Sequence, residues 1–98
     1  MAIYQPKNTA FYLPEAVYMK TLYSILDYER MKSDLDGCPH NRIEVAAVEM
    51  ALNEIPEQYK QAIWNNIFYK EKFPERGKQL SIAKSKFVYL VAQYNDWL

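Results

Sequence analysis

Four of the five prolines and both glycines cut this chain into segments of helical length, and that punctuation limits the fold more than any other feature. Pro14 suits the first turn of a helix, where its missing N–H is not needed, and a long helix is predicted over residues 15–35. "DLDGCPHN" closes it through Gly37 and Pro39. Asn41 then caps a second helix over 42–53, and Pro56 opens a third over 57–70. "KEKFPERGKQLS" interrupts the pattern with Pro74 and Gly77. A short helical turn is expected near 75–79, and Ser81 is placed as the N-cap of a last helix over 82–97. No run alternates with period two and no segment repeats. The expected fold is therefore all-α: one compact domain over 1–98, with four main helices and one short turn. Residues 1–13 read as an extended arm anchored by Phe11 and Tyr12.

Apolar spacing assigns faces to these helices. In the first, Tyr18, Leu22, Ile25 and Leu26 make one face. Val17, Thr21, Ser24, Tyr28 and Met31 make a second stripe on nearly the opposite side. Two semi-apolar faces imply two neighbours: one is the core, and the other is either a second chain, giving a homodimer, or the N-terminal arm. The second helix offers Ile43, Ala46, Ala47, Met50 and Ala51, a narrow face suited to close packing. The third offers Tyr59, Ile63 and Ile67, with Trp64 and Phe68 alongside. In the last, Ala83, Phe87, Leu90, Val91, Tyr94 and Leu98 should face the core.

Twelve basic and twelve acidic side chains balance to zero, whereas a general nucleic-acid binder carries a strong basic excess. The charge is uneven, however. Residues 1–54 hold five basic and eight acidic groups, and 55–98 hold seven basic and four acidic, so the C-terminal half is better suited to phosphate. The outer side of the last helix gathers Ser85, Lys86, Tyr89, Ala92 and Gln93, with Lys84 at its flank. A hydroxyl, two ammonium groups, a phenol and an amide can donate to phosphates or meet base edges in a major groove. Taken alone, the same residues make an ordinary solvated face. Half the residues are apolar, enough for a core without staples. A single cysteine excludes an internal disulfide framework. The chain lacks a membrane-length apolar run and a signal-peptide pattern, so the cytoplasm is its expected location.

From Ile55 onward the chain resembles region 4 of bacterial sigma factors and the small phage regulators built like it. "IPEQYK" at 55–60 is similar to the opening "LPE-x-Y-R" of that family. "FY" at 68 and 69 matches its aromatic helix end. "IAKSKFVYLV" at 82–91 matches the final "I-S-x-S-x-V-x-x-x-L" element, with Ser85 at the serine position. "DYERMK" at 27–32, "IPEQYKQAIWNNI" at 55–67 and "FVYLVA" at 87–92 also resemble pieces of small Firmicute phage and prophage proteins, similar to late transcription activators of the autolysin-regulator type. The resemblance implies a helix-turn-helix regulator whose partners are double-stranded DNA and RNA polymerase. Lys84, Ser85, Lys86 and Tyr89 would face the groove, with Lys78 and Arg76 over flanking phosphates. The segment between Tyr69 and Ile82 is shorter than in the sigma pattern, and Gln93, Asn95 and Asp96 stand where that pattern is basic. The helix-turn-helix is thus a shortened one.

Other candidates lead away from chemistry. Asn65 and Asn66 sit mid-helix, where asparagine is a poor former; one of them is expected to bond the loop around Pro74. Cys38 and His40 lack the further ligands of a zinc site and the orienting group of a nucleophilic pair. No glycine-rich phosphate loop and no paired carboxylates occur, so no enzyme, cofactor, metal or small-molecule substrate is expected. The reading is a phage or prophage transcriptional regulator. Its rival is a helical protein-interaction or assembly module that does not bind DNA.

Overall fold

Pro14 and Pro56 start helices as expected, each immediately before the first helical residue and each with its carbonyl accepting the first helical bond, from the Tyr18 and Tyr59 amides at 2.9 Å. The computed structural model describes residues 11–73 and 77–98, and among them five helices and no strand. These are α1 (Glu15–Leu26), α2 (Tyr28–Ser33), α3 (Pro39–Asn53), α4 (Glu57–Tyr69) and α5 (Lys78–Tyr94). Four are long and one is short, but the short one is α2. Lys78 and Gln79, expected in a separate turn, belong to α5, and positions 75 and 76 of that turn lie outside the described residues.

Three boundaries differ from expectation. The helix predicted over 15–35 divides at Asp27, whose N–H is shared between the Tyr23 and Ser24 carbonyls. The divide lets Met31 turn inward, and it is buried. Pro39 does not end a segment; it is the first residue of α3, a position where its fixed φ is already helical. Asn41 therefore lies inside α3, buried, with its Nδ2 donating to the Asp34 carbonyl at 2.7 Å. Gly77, rather than Ser81, precedes α5, and the Ser81 amide bonds back to its carbonyl at 2.8 Å.

α5 is the hub. It packs against α1, α3 and α4, while α2 packs on α3. Phe87, Val88, Val91 and Ala92 are fully enclosed there, with Ile25 of α1, Val48 and Ala51 of α3 and Ile63 of α4 among the core that surrounds them. Leu13, just before Pro14, is also fully buried, whereas Tyr12 is exposed; positions 1–10 of the expected arm lie outside the described residues. The core face of α3 is Asn41, Val45, Ala47, Val48 and Ala51. The expected face was rotated: of its members, Ala47 and Ala51 are buried, whereas Ile43 and Met50 are 53% and 50% exposed and Ala46 is exposed. On α4, Ile63 and Ile67 are buried, and Trp64 stacks on Phe68 at 4.3 Å between centroids. Asn66 Nδ2 donates to the Glu71 carbonyl at 2.8 Å, tying the helix to the segment that follows it; the turn at Pro74 that this bond was expected to hold lies outside the described residues. None of the helices among the described residues is long and apolar enough to cross a membrane.

Candidate functional site

The helical spacing of α5 places Lys78, Gln79, Ile82, Lys86, Tyr89 and Gln93 on one outer stripe. Lys78, Gln79, Ile82 and Gln93 are exposed, and Lys86 and Tyr89 are half-buried. Of the residues assigned to DNA, Lys78, Lys86 and Tyr89 thus share a face. Ser85 does not: it is buried, because a small side chain lets a neighbouring element come close to the central helix. Lys84 lies on another side of α5, half-buried, and its burial holds the ammonium below the usual lysine range. Arg76 lies outside the described residues. Two members of the outer stripe are already engaged within the chain. Phe11 meets Tyr89 edge to face at 5.6 Å, and the Tyr59 hydroxyl donates to Gln79 Oε1 at 2.7 Å. The segment entering α1 therefore covers part of the surface that was assigned to a groove.

The stripe assigned to self-association points into the chain. Thr21, Ser24 and Met31 are buried, and Val17 and Tyr28 are half-buried. Thr21 Oγ1 donates to the Val17 carbonyl at 2.7 Å. Ser24 Oγ donates to Glu44 Oε1 on α3, also at 2.7 Å. The Tyr28 hydroxyl donates to Glu49 Oε2 at 2.7 Å, and Lys32 Nζ donates to the same oxygen at 2.9 Å. Tyr28 also meets Trp64 of α4 edge on at 5.5 Å. The second neighbour of this stripe is thus the chain's own α3, with α4 beyond it. The hydrogen bond from Lys32, then that from Tyr28, holds the Glu49 carboxyl below the ordinary carboxylate range. Lys32 is correspondingly held more firmly protonated, by Tyr28 and then Glu49.

An open cleft of about 430 Å³, which no sequence pattern announced, lies between α1 and the start of α3. Lys20, Tyr23, Ser24 and Asp27 line one wall, His40 and Glu44 the other, and Trp97 closes one side. Several of its polar groups are already engaged within the chain. Lys20 Nζ sits 4.4 Å from the Trp97 ring centroid. Arg30 holds both Asp27 oxygens, at 2.8 and 2.5 Å, and the bond to Arg30 keeps that carboxyl below its ordinary range. Ser24 donates straight to Glu44, and His40 bonds neither, so the order needed for an activated serine, hydroxyl to imidazole to carboxylate, is not assembled. Among the described residues no cluster of His, Cys, Asp and Glu is arranged to hold a metal ion. The cleft residues come from distant parts of the sequence, and only the fold of α1 on α3 brings them together.

No protein-family model, curated protein or solved structure matches this chain.

Proposed function

We propose that this chain is a helical protein-interaction or assembly module of phage or prophage type. The observation that carries the reading is the central position of α5. The helix that a region-4 likeness would send into a major groove is the one on which α1, α3 and α4 pack. A groove-reading helix needs a free outer face with several donors. Here that face offers only two cations, Lys78 and Lys86, beside the amide of Gln93, a Gln79 already bonded by Tyr59 and a tyrosine that already meets Phe11. Attraction to phosphate grows with the number of contacts made. Two contacts give a slope of only about 1.8 in log affinity against log salt, and the net charge of zero adds no long-range pull.

A second reading, regulation of transcription by weak DNA contact with RNA polymerase as helper, is favoured by one observation: Lys78 and Lys86 share the outer stripe of α5. Fluorescence anisotropy with duplexes from the protein's own genomic neighbourhood, at low salt and with and without polymerase, separates the two. The module reading expects no saturable binding. Saturable binding that is lost in a Lys78→Glu, Lys86→Glu double variant with an unchanged circular-dichroism spectrum would replace it with the regulator. Lys84 is left out of that variant, because a glutamate at its half-buried position would disturb the core.

A further inference from the structure

The outer ribbon of α3 is the least expected surface on the molecule. Ile43, Ala46 and Met50 follow one another at helical spacing and all are exposed, Ile43 by 53% and Met50 by 50%. The opposite side of the same helix fills the core, so none of the three is needed to hold the fold. Arg42 and Glu49, seven positions apart, run along one flank of the ribbon, and both are exposed.

We infer that this ribbon is the contact between two copies of the chain, paired through antiparallel α3 helices. The argument is self-complementarity. Arg42 and Ile43 precede Ala46, and Glu49 and Met50 follow it at nearly the same distance. Reversed end to end, the ribbon presents Met50 where Ile43 stood and Glu49 where Arg42 stood. A two-fold axis near Ala46 therefore sets the large side chains of each copy beyond the small centre of the other, and the alanine allows close approach. In an antiparallel helix pair each flank meets the same flank of the other copy. Arg42 then meets Glu49 of the partner subunit, and Glu49 meets the partner's Arg42.

The bonds these groups already make lie at the surface. Arg42 pairs with Asp36, and Glu49 with Lys32, in ion pairs whose members are all well exposed, and the Tyr28 hydroxyl shares Glu49 Oε2 with Lys32, leaving the second carboxylate oxygen over. Such pairs contribute little, so re-pairing across the interface costs little. A single helix ribbon is smaller than the roughly 800 Å² per partner of a stable complex, so the pair is reversible and concentration-dependent. This goes beyond the choice between protein and DNA partners, since a pair of chains serves either.

Sedimentation velocity over a concentration series tests it. The wild type should pass from monomer to dimer, and Ile43→Glu should stay a folded monomer. Arg42→Glu alone and Glu49→Arg alone should each be monomeric, because each sets like charges against each other at both symmetric contacts. Mixed in equal amounts, the two charge variants should form a heterodimer, since an acidic side chain of the one then faces a basic side chain of the other at both contacts. A wild type that stays monomeric up to about 1 mM overturns the inference. So does an Ile43→Glu protein that still dimerises, or a mixture of charge variants that stays monomeric.

Discussion

Val48 and Ile43 lie on the same helix, and replacing each by alanine separates its core side from its outer side. Val48 is 1% exposed and Ile43 is 53% exposed. Val48→Ala removes two buried carbons, about 1.6 kcal/mol at about 0.8 per methylene. The cavity left beside α5 adds to that, and alanine's better helix propensity returns about 0.5 kcal/mol. The net loss is about 1.5–2.5 kcal/mol. Ile43→Ala removes three carbons, but about half of their surface already faces water, so the transfer loss is about 1.2 kcal/mol. The same propensity gain brings the net below about 1 kcal/mol. In a domain of this size 1 kcal/mol moves Tm by about 4–8 °C. Val48→Ala should then lower Tm by roughly 6–20 °C, and Ile43→Ala by less than half as much. Thermal melts followed by circular dichroism, at low micromolar protein so that weak pairs are dissociated, measure both. An Ile43→Ala protein that melts as early as Val48→Ala would mean that α3 is turned the other way, with its apolar ribbon inside.

Two further outcomes concern charge. Glu49 has its folded pKa lowered by Lys32 and Tyr28, so its contribution is fully present above the unfolded carboxylate value and is lost as pH falls through the lowered folded value. Glu49→Gln should flatten the acid side of the stability profile by less than about 1 kcal/mol, since the group is exposed and screened, and added salt should shrink the difference. Lys84 has its folded pKa lowered by burial. Between that value and the ordinary lysine value the unfolded chain binds more protons, so stability rises with pH in that window. Lys84→Met should raise Tm at neutral pH, and the gain should fade as alkaline pH discharges the wild-type lysine; a gain that persists unchanged there would assign the effect to packing.

Much of the fold was legible because proline is favoured at helix starts. Pro14 and Pro56 gave two boundaries within a residue, and the spacing of Ile63 and Ile67 gave the inner face of α4. Pro39 was misleading because the same residue that ends one helix can begin the next, and Gly37 two positions earlier made an ending the simpler reading. The divide at Asp27 has no local signal, since an aspartate is tolerated inside a helix; what favours it is the packing of Met31 and Tyr28 against later helices. The face of α3 was ambiguous for a different reason. Its alanines at 46, 47 and 51 complete an apolar stripe with either Ile43 and Met50 or Val45 and Val48, and only the approach of α5 decides between them. Ser85 and Ala92 were read outward as small or polar residues. At the centre of a helical cluster small residues instead mark where neighbours come nearest, so of the side of α5 read as outward Lys86, Tyr89 and Gln93 share the outer stripe, whereas Ser85 and Ala92 are buried and Lys84 lies on another side.

The helix that all the long ones need leaves the ribosome after them. α1, α3 and α4 have 12, 15 and 13 residues, lengths at which an isolated helix is marginal in water. Until residues 78–94 have been synthesised, Ile25, Val48 and Ile63 have nothing to close upon, and the nascent chain keeps its apolar faces open to chaperones and to other chains. The contacts that finish the fold then join α5 to α1 across most of the sequence, a non-local closure that slows folding relative to a bundle of sequential neighbours. Synthesis that stops before α5 would leave no smaller folded unit behind, and such a fragment would be handed to the proteases.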